Sequence, residues 1–410
     1  MQKFISLDKK SKPWFDNKCK ELKIQYDRVL KCAKRNPFER SIRFDLNKIR
    51  KLYKSTVKNN KRLFERNIWS NLDEFHKTRP KDFWKLLSDL KGLDDEYKQN
   101  PIPMDEWVKH FTKLFNTSMK IDPVLDKHIT SFIEENKNRI FNELNFSIKD
   151  TEVINAIKFL KSGKSAGVDG ILNEMFKAGV NSLTASITKL FNVILCKGKF
   201  PSSWRDNTLT PLYKNKGDVN DPKNYRGIAV ASSFSKLFLT IMQQRLQKFT
   251  SEKGLVPDCQ IAYQKNCTTS DHILTLKNII DKYVNRVSNC RLFVCFVDFR
   301  AAFDTVWRKA MLYKLVKMGV SGNFFNVIES MYCDVSYRVK LNGALSSKIT
   351  SDVGVKQGCV LSPLLFNLFL SDLPNVFSEK CDPITLCERK LSCLMFADDL
   401  VLISETHHGL

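Results

Sequence analysis

Three aspartates stand where chemistry could be done. Asp298 ends the apolar run Leu292-Phe-Val-Cys-Phe-Val297, and Asp398 and Asp399 lie side by side between Leu394-Met-Phe396 and Leu400-Val-Leu-Ile403. Their apolar flanks bring all three carboxylates to the edge of a hydrophobic sheet, where an unpaired charge is costly. A divalent cation is the natural partner, and oxygen-only ligands suit Mg²⁺ or Mn²⁺. Two ions about 4 Å apart activate an attacking oxygen and stabilise a leaving phosphate, which is phosphoryl or nucleotidyl transfer. Spacing alone leaves two other uses open. An Asp-Asp pair also serves a turn, and a strand-ending Asp also caps a helix.

The elements that must position these acids can be read from periodicity. Residues 292–297 are β-branched and aromatic and read as a buried strand ending at Asp298. Residues 391–404 read as a hairpin with the acid pair at its tip. Helices are expected near 153–160, 182–197, 233–250, 271–286, 304–318, 322–332 and 362–373. A strand is expected at 209–213 and a strand pair near 337–342 and 349–355. Ser147-Ile-Lys-Asp150 resembles a capping box, and Asp304 reads as the cap of the helix after it. Upstream, 104–117 reads as an amphipathic helix with Trp107, Phe111, Leu114 and Phe115 inward. Asp82–Leu90 reads as a short helix, and Gly92–Pro103, acidic with two prolines, as a linker. Gly163-Lys-Ser165 resembles the end of a P-loop, but Lys158 holds the place of the first glycine and the segment follows a helix. An ATPase is therefore excluded.

Composition narrows the partners. Among 410 residues, 67 Lys+Arg face 44 Asp+Glu, a net charge of +23. Residues 1–66 hold 21 basic and 7 acidic side chains, more than half of that surplus. Within 13–70 the sequence reads as long basic helices, with Ile42, Leu46, Ile49, Tyr53 and Val57 on one face. Such a segment suits a polyanion, nucleic acid above all. No lipidation signal or apolar stretch of about 18 residues points to a membrane. Met1-Gln-Lys-Phe-Ile-Ser-Leu-Asp lacks an apolar leader, so the expected location is intracellular, cytoplasm and/or nucleus, and not secreted. The 12 cysteines include no Cys-x-x-Cys pair, and Cys381, Cys387 and Cys393 have no histidines at zinc spacing. Free thiols are expected.

The larger pattern carries a resemblance. Phe296-Val-Asp-Phe-Arg-Ala-Ala-Phe-Asp304, Gly354-Val-Lys-Gln-Gly-Cys-Val-Leu-Ser-Pro-Leu-Leu-Phe366 and Phe396-Ala-Asp-Asp399 occur in that order. They closely resemble motifs A, B and C of reverse transcriptases. Gly163-Lys-Ser-Ala-Gly-Val-Asp-Gly170, Phe200-Pro-Ser-Ser-Trp-Arg205, Leu212-Tyr-Lys-Asn-Lys-Gly217 and Asn224-Tyr-Arg-Gly-Ile228 resemble blocks of non-LTR (LINE-type) retrotransposon enzymes. Pro13-Trp-Phe-Asp-Asn-Lys18 is similar to their segment between endonuclease and polymerase. Phe396 replaces a common tyrosine, and Ala166 and Gly227 replace common prolines.

What the resemblance implies is an α+β fold. It is a right-hand polymerase with fingers at 147–290 and a palm at 291–410, an antiparallel palm sheet packed with helices. A basic helical extension at 1–91 and a linker with a helical segment at 92–146 would precede it. Asp298, Asp398 and Asp399 match the ligands of two Mg²⁺ (or Mn²⁺) ions. Lys214 and Arg226 match the cations that hold the incoming triphosphate, Arg through a bidentate grip. Phe303 matches the steric gate against a 2′-hydroxyl, and Gln357 and Gly358 match the pair lining the nucleotide pocket. The implied partners are an RNA template, a DNA primer or target, and dNTPs. The resemblance also leads us to expect a thumb and an endonuclease elsewhere in a longer polyprotein, the chain being truncated after motif C. The rivals are a catalytically incomplete fragment that binds RNA, and an RNA-dependent RNA polymerase, against which Phe303 argues.

Overall fold

A computed structural model describes residues 14–36, 39–78, 100–116, 121–139, 142–286, 291–386 and 389–410. The helix expected at 82–90 and most of the linker expected from residue 92 lie outside them. The chain divides into two units, Met1–Gln99 and Asn100–Leu410.

In the first unit, α1 (Asn17–Arg35) packs on α2 (Arg40–Thr78). Asp16 caps α1 by accepting from Cys19 N at 2.8 Å. Tyr26 and Tyr53 stack between the helices, ring centres 5.9 Å apart. Few side chains are buried here, so the basic residues of both helices stay largely in solvent.

The second unit is built around one large apolar core. Its first helices are α3 (Met104–Phe115), α4 (Pro123–Asn136), α5 (Asp150–Phe159) and α6 (Val180–Lys197). Trp107, Phe111 and Phe115 of α3 are buried, as their spacing requires. The strands β1 (Asp206–Tyr213) and β2 (Tyr225–Val230) form an antiparallel pair, and α7 (Ser233–Glu252) follows. Leu237, Phe238, Ile241, Met242 and Leu246 make α7 the central helix of the core. Its Arg245 forks onto Glu152 at 2.7 and 2.8 Å. Glu152 also accepts from Lys149 N, so the turn that opens α5 is closed at Lys149 and not at Ser147.

Next come α8 (Thr269–Ile280), β3 (Phe293–Asp298), α9 (Arg308–Lys317), α10 (Gly322–Met331) and β4 (Ser336–Leu341). The pieces Ala344–Leu345 (β5) and Ile349–Thr350 (β6) pair with β4, and β4 runs parallel to β1, giving a five-stranded sheet. The strand expected at 349–355 is short because Arg308 takes its carbonyls. The buried guanidinium donates to Ser351 O, Val353 O and Gly354 O. The helix expected at 362–373 is split into α11 (Ser362–Phe369) and α12 (Leu373–Lys380). Pro374 lacks an N–H and cannot continue the first helix.

A hairpin of Ile384–Leu386 (β7) and Arg389–Leu391 (β8) leads into β9 (Cys393–Phe396) and β10 (Asp399–Ser404). The order β3-β10-β9 makes a separate antiparallel sheet. One expectation is corrected here. β3 is an edge strand, and Cys295 is exposed and Phe296 is 72% exposed, so the run 292–297 is not buried on both faces. Mixed helix and antiparallel sheet of this kind fit a polymerase palm. No helix among the described residues is long and apolar enough to cross a membrane. The described cysteines are free thiols.

Candidate active site

Register brings the acids together. β10 pairs with β3 so that Asp399 lies opposite Asp298. Directly paired residues of antiparallel strands carry their side chains on the same face, with Cβ atoms about 5 Å apart. Asp398 precedes Asp399 in the two-residue turn Ala397-Asp398 that closes β9 onto β10. Its carboxyl is held above its usual range, first by burial and further by the charges of Asp399 and Asp298, against a local backbone hydrogen bond and a smaller pull from Arg226. The three carboxylates therefore form one field of like charge. Among the described residues no group of three or more His, Cys, Asp or Glu stands at metal-ligating spacing. The donor set nonetheless suits a hard cation, being all oxygen, and its mutual repulsion is the kind a cation relieves.

Both loops carrying the acids are strained. Ala301, after Asp298, has φ 51°, and Ala397, before Asp398, has φ 56°. A side chain in that left-handed region costs roughly 1–2 kcal/mol and needs support. Ala397 receives it from Gln260, a buried residue that sequence reading passed over. Ala397 N donates to Gln260 Oε1 at 2.9 Å, and Gln260 Nε2 donates to Ala397 O at 3.2 Å. The flanking segment is tied to β9, with Met395 N donating to Cys259 O and Ile261 N to Met395 O. Burial, and then the charge of Asp398, push the hydroxyl pKa of Tyr263 up, which places Tyr263 within reach of that charge. Nothing in the composition marks a lone glutamine in a loop. Only its bonds to the N–H and the carbonyl of Ala397 show what it does.

The other residues singled out from sequence lie around a second cluster. Gly358 has φ 99°, and a Cβ there would meet Ala229 O at 2.7 Å. Ala229 N donates to Gln357 O, so this loop is laced to β2. Gln357 Nε2 donates to Asp304 Oδ2 at 2.7 Å. Asp304 is thus no helix cap: α9 starts later, at Arg308, after Trp307. Phe303 is half-buried and stacks on Phe366, ring centres 4.5 Å apart. Lys214 Nζ donates to Lys223 O, and its charge also reaches Asp304. Arg226 is exposed on β2, and its charge reaches Asp398. No described contact joins Phe303, Lys214 or Gln357 directly to the three acids.

Burial outweighs Lys214 at Asp304 and pushes its carboxyl from the usual 3.8 up to about 7. The folded chain keeps a proton that the unfolded chain releases, so this group's contribution to stability falls as pH rises between about 4 and 7. Asp304→Asn should flatten that part of the pH profile. Denaturant midpoints near pH 5 and pH 8 should lie closer together in the variant, and an unchanged gap would contradict the assignment.

Comparison with known proteins shows what the sequence is similar to. Residues 213–410 match the family described as reverse transcriptase (RNA-dependent DNA polymerase). That match takes in just under half of the chain and includes all three aspartates. Over 258 residues it is 29% identical to a probable RNA-directed DNA polymerase from transposon BS of Drosophila melanogaster, covering 62% of this chain and 28% of that protein. It is 27% identical to the corresponding protein of transposon X-element from the same fly, covering 65% of this chain and 29% of that one. It is 31% identical to a Pol polyprotein of the type-1 retrotransposable element R2 from Popillia japonica, covering 52% and 29%. These relatives are proteins of transposons and of a type-1 retrotransposable element, and the chain spans less than a third of their length.

Proposed function

We propose that the chain is an RNA-directed DNA polymerase module, joining dNTPs to a primer 3′-hydroxyl on an RNA template. The observation that carries this is the register of Asp399 against Asp298 with Asp398 in the adjoining turn. In this reading Asp298, Asp398 and Asp399 hold two Mg²⁺ (or Mn²⁺) ions. Bound there, such ions activate the hydroxyl and offset charge on the reacting phosphate. Arg226 and Lys214 steer the triphosphate, and Gln357 and Gly358 form the wall behind the nucleotide. The chain supplies no covalent nucleophile, so positioning and electrostatics carry the rate. The fingers are residues 147–290, the palm is 291–410, and the basic helices of 1–91 hold nucleic acid.

Primer extension by the full chain on an RNA template tests the reading. Incorporation of dNTPs with Mg²⁺, abolished by a chelator, is expected. RNA binding without any incorporation would instead describe a nucleic-acid-binding protein. The same assay tests the gate. Phe303→Val should raise rNTP use relative to dNTP use by about tenfold or more, because the ring that would meet a 2′-hydroxyl is gone. An unaltered ratio would leave Phe303 only as the stacking partner of Phe366.

A further inference from the structure

Beside the turn that carries Asp398 lie two thiols that the proposed reaction does not use. Cys259 stands one residue before Gln260, and Cys393 opens β9. Their sulfurs are in hydrogen-bond contact at 3.9 Å, across 134 positions of sequence. Among the described residues no other two cysteines are in such contact. Cys393 is 1% exposed and is buried with Met395 and Leu400. Cys259 packs against the same cluster but keeps part of its surface in solvent.

The backbone holds the pair in place. Met395 N donates to Cys259 O at 2.8 Å and Ile261 N to Met395 O at 3.2 Å, so residues 259–261 run alongside β9 through a parallel bridge at Gln260. His272 Nε2 lies 3.0 Å from both of those carbonyl oxygens. Two thiols kept in contact this way meet each other at a high effective concentration. The pair has the two ligands of a disulfide and, among the described residues, not the larger set of a zinc site.

We propose that Cys259 and Cys393 form a peroxide-sensitive dithiol whose disulfide displaces the turn bearing Asp398. Cys259, the more exposed sulfur, meets the oxidant. Its thiolate attacks one oxygen of hydrogen peroxide, the O–O bond breaks, and the other oxygen leaves as hydroxide. The Cys393 thiolate then attacks the sulfur of the resulting sulfenic acid, the S–S bond forms and a second hydroxide leaves. The proton of each thiol ends on a leaving hydroxide, so two thiols are oxidised and one peroxide is reduced to two waters. A reducing thiol reverses the bond by exchange.

Closure draws the sulfurs from 3.9 Å to about 2 Å. Gln260, next to Cys259, bonds the N–H and the carbonyl of Ala397, and β9 leads into the same turn. The pull therefore reaches Asp398 from both flanks. Its effect on synthesis rests on the polymerase reading; the bond and the shift of the turn do not.

Peptide mapping of the full chain tests it. The protein is treated with hydrogen peroxide, its remaining thiols are alkylated, and an unreduced digest is read by mass spectrometry. The Cys259–Cys393 pair should exceed any other disulfide of either cysteine about tenfold or more, and should vanish with dithiothreitol. Amide hydrogen exchange around Ala397 should quicken about fivefold in the cross-linked chain, as the bond to Gln260 weakens. Incorporation of dNTPs should fall about tenfold or more and return with dithiothreitol. Cys259→Ser, on the partly exposed side, should fold and make both readouts indifferent to peroxide. Cys393→Ala is the second variant and should do the same. Absence of the cross-linked pair, a cross-link with unaltered exchange at Ala397, or an equal peroxide effect on exchange in both variants overturns the proposal. A cross-link with faster exchange in a chain that makes no DNA even when reduced supports it, and counts against the polymerase reading alone.

Discussion

Asp398→Asn is expected to lower dNTP incorporation about a thousandfold or more while leaving RNA affinity within about twofold. The size follows from what is removed. A cation site that loses one of three charged ligands loses several kcal/mol of stabilisation on the reacting phosphate, and each 1.4 kcal/mol or so is a factor of ten in rate. RNA affinity should survive because more than half of the basic surplus sits far along the sequence, in residues 1–66. Stability should not suffer either. Burial and the charges of Asp399 and Asp298 all disfavour an ionised Asp398. An uncharged amide relieves that conflict, so the variant should melt at or above the wild-type temperature without added metal. Primer extension with Mg²⁺, filter binding and a thermal melt measure the three quantities. Undiminished synthesis would remove Asp398 from the reaction.

Gln260→Ala should lower kcat by about a hundredfold with little change in the KM for dNTP. Gln260 touches no substrate in this account. It holds the peptide of Ala397 in a left-handed turn and so aims the next residue, Asp398. A displacement of about 1 Å at a reacting group costs on that order, whereas nucleotide binding by other residues is spared. The conservative variant separates aiming from mere packing. Gln260→Glu keeps an acceptor for Ala397 N but, when ionised, has no donor for Ala397 O. Protonation restores that donor. Its activity relative to wild type should therefore climb as pH falls, and a flat ratio across pH would assign Gln260 a packing role alone.

Much of this site was legible because apolar runs interrupted by acids are rare and physically expensive. Asp298 and the Asp398–Asp399 pair stand out for that reason, and the hairpin around residue 397 follows from two apolar runs with a break. Register did not follow, since nothing in either strand says which residue faces which. Strand β2 was missed because Gly227 breaks its short Tyr225–Val230 run, and that glycine is required by the Phe111 ring, which a Cβ would meet at 2.8 Å. Asp304 looked like a cap from its place before a helical pattern. The helix begins only at Arg308, and the acid turns to Gln357 instead. Gln260 and Cys259 were invisible for a common reason. Their significance lies in partners over a hundred residues away, which no local pattern records.

Manganese binding tests the central claim most directly. Mn²⁺ titrated into the full chain, followed by loss of the free-ion electron paramagnetic resonance signal, should show saturable binding in the wild type. Asp298→Asn and Asp398→Asn should each weaken it about tenfold or more, because in the proposed site both serve one pair of ions, Asp398 adjoining the Asp399 that faces Asp298 across the paired strands. Wild-type Mn²⁺ affinity in both variants would contradict the account, whatever their activity.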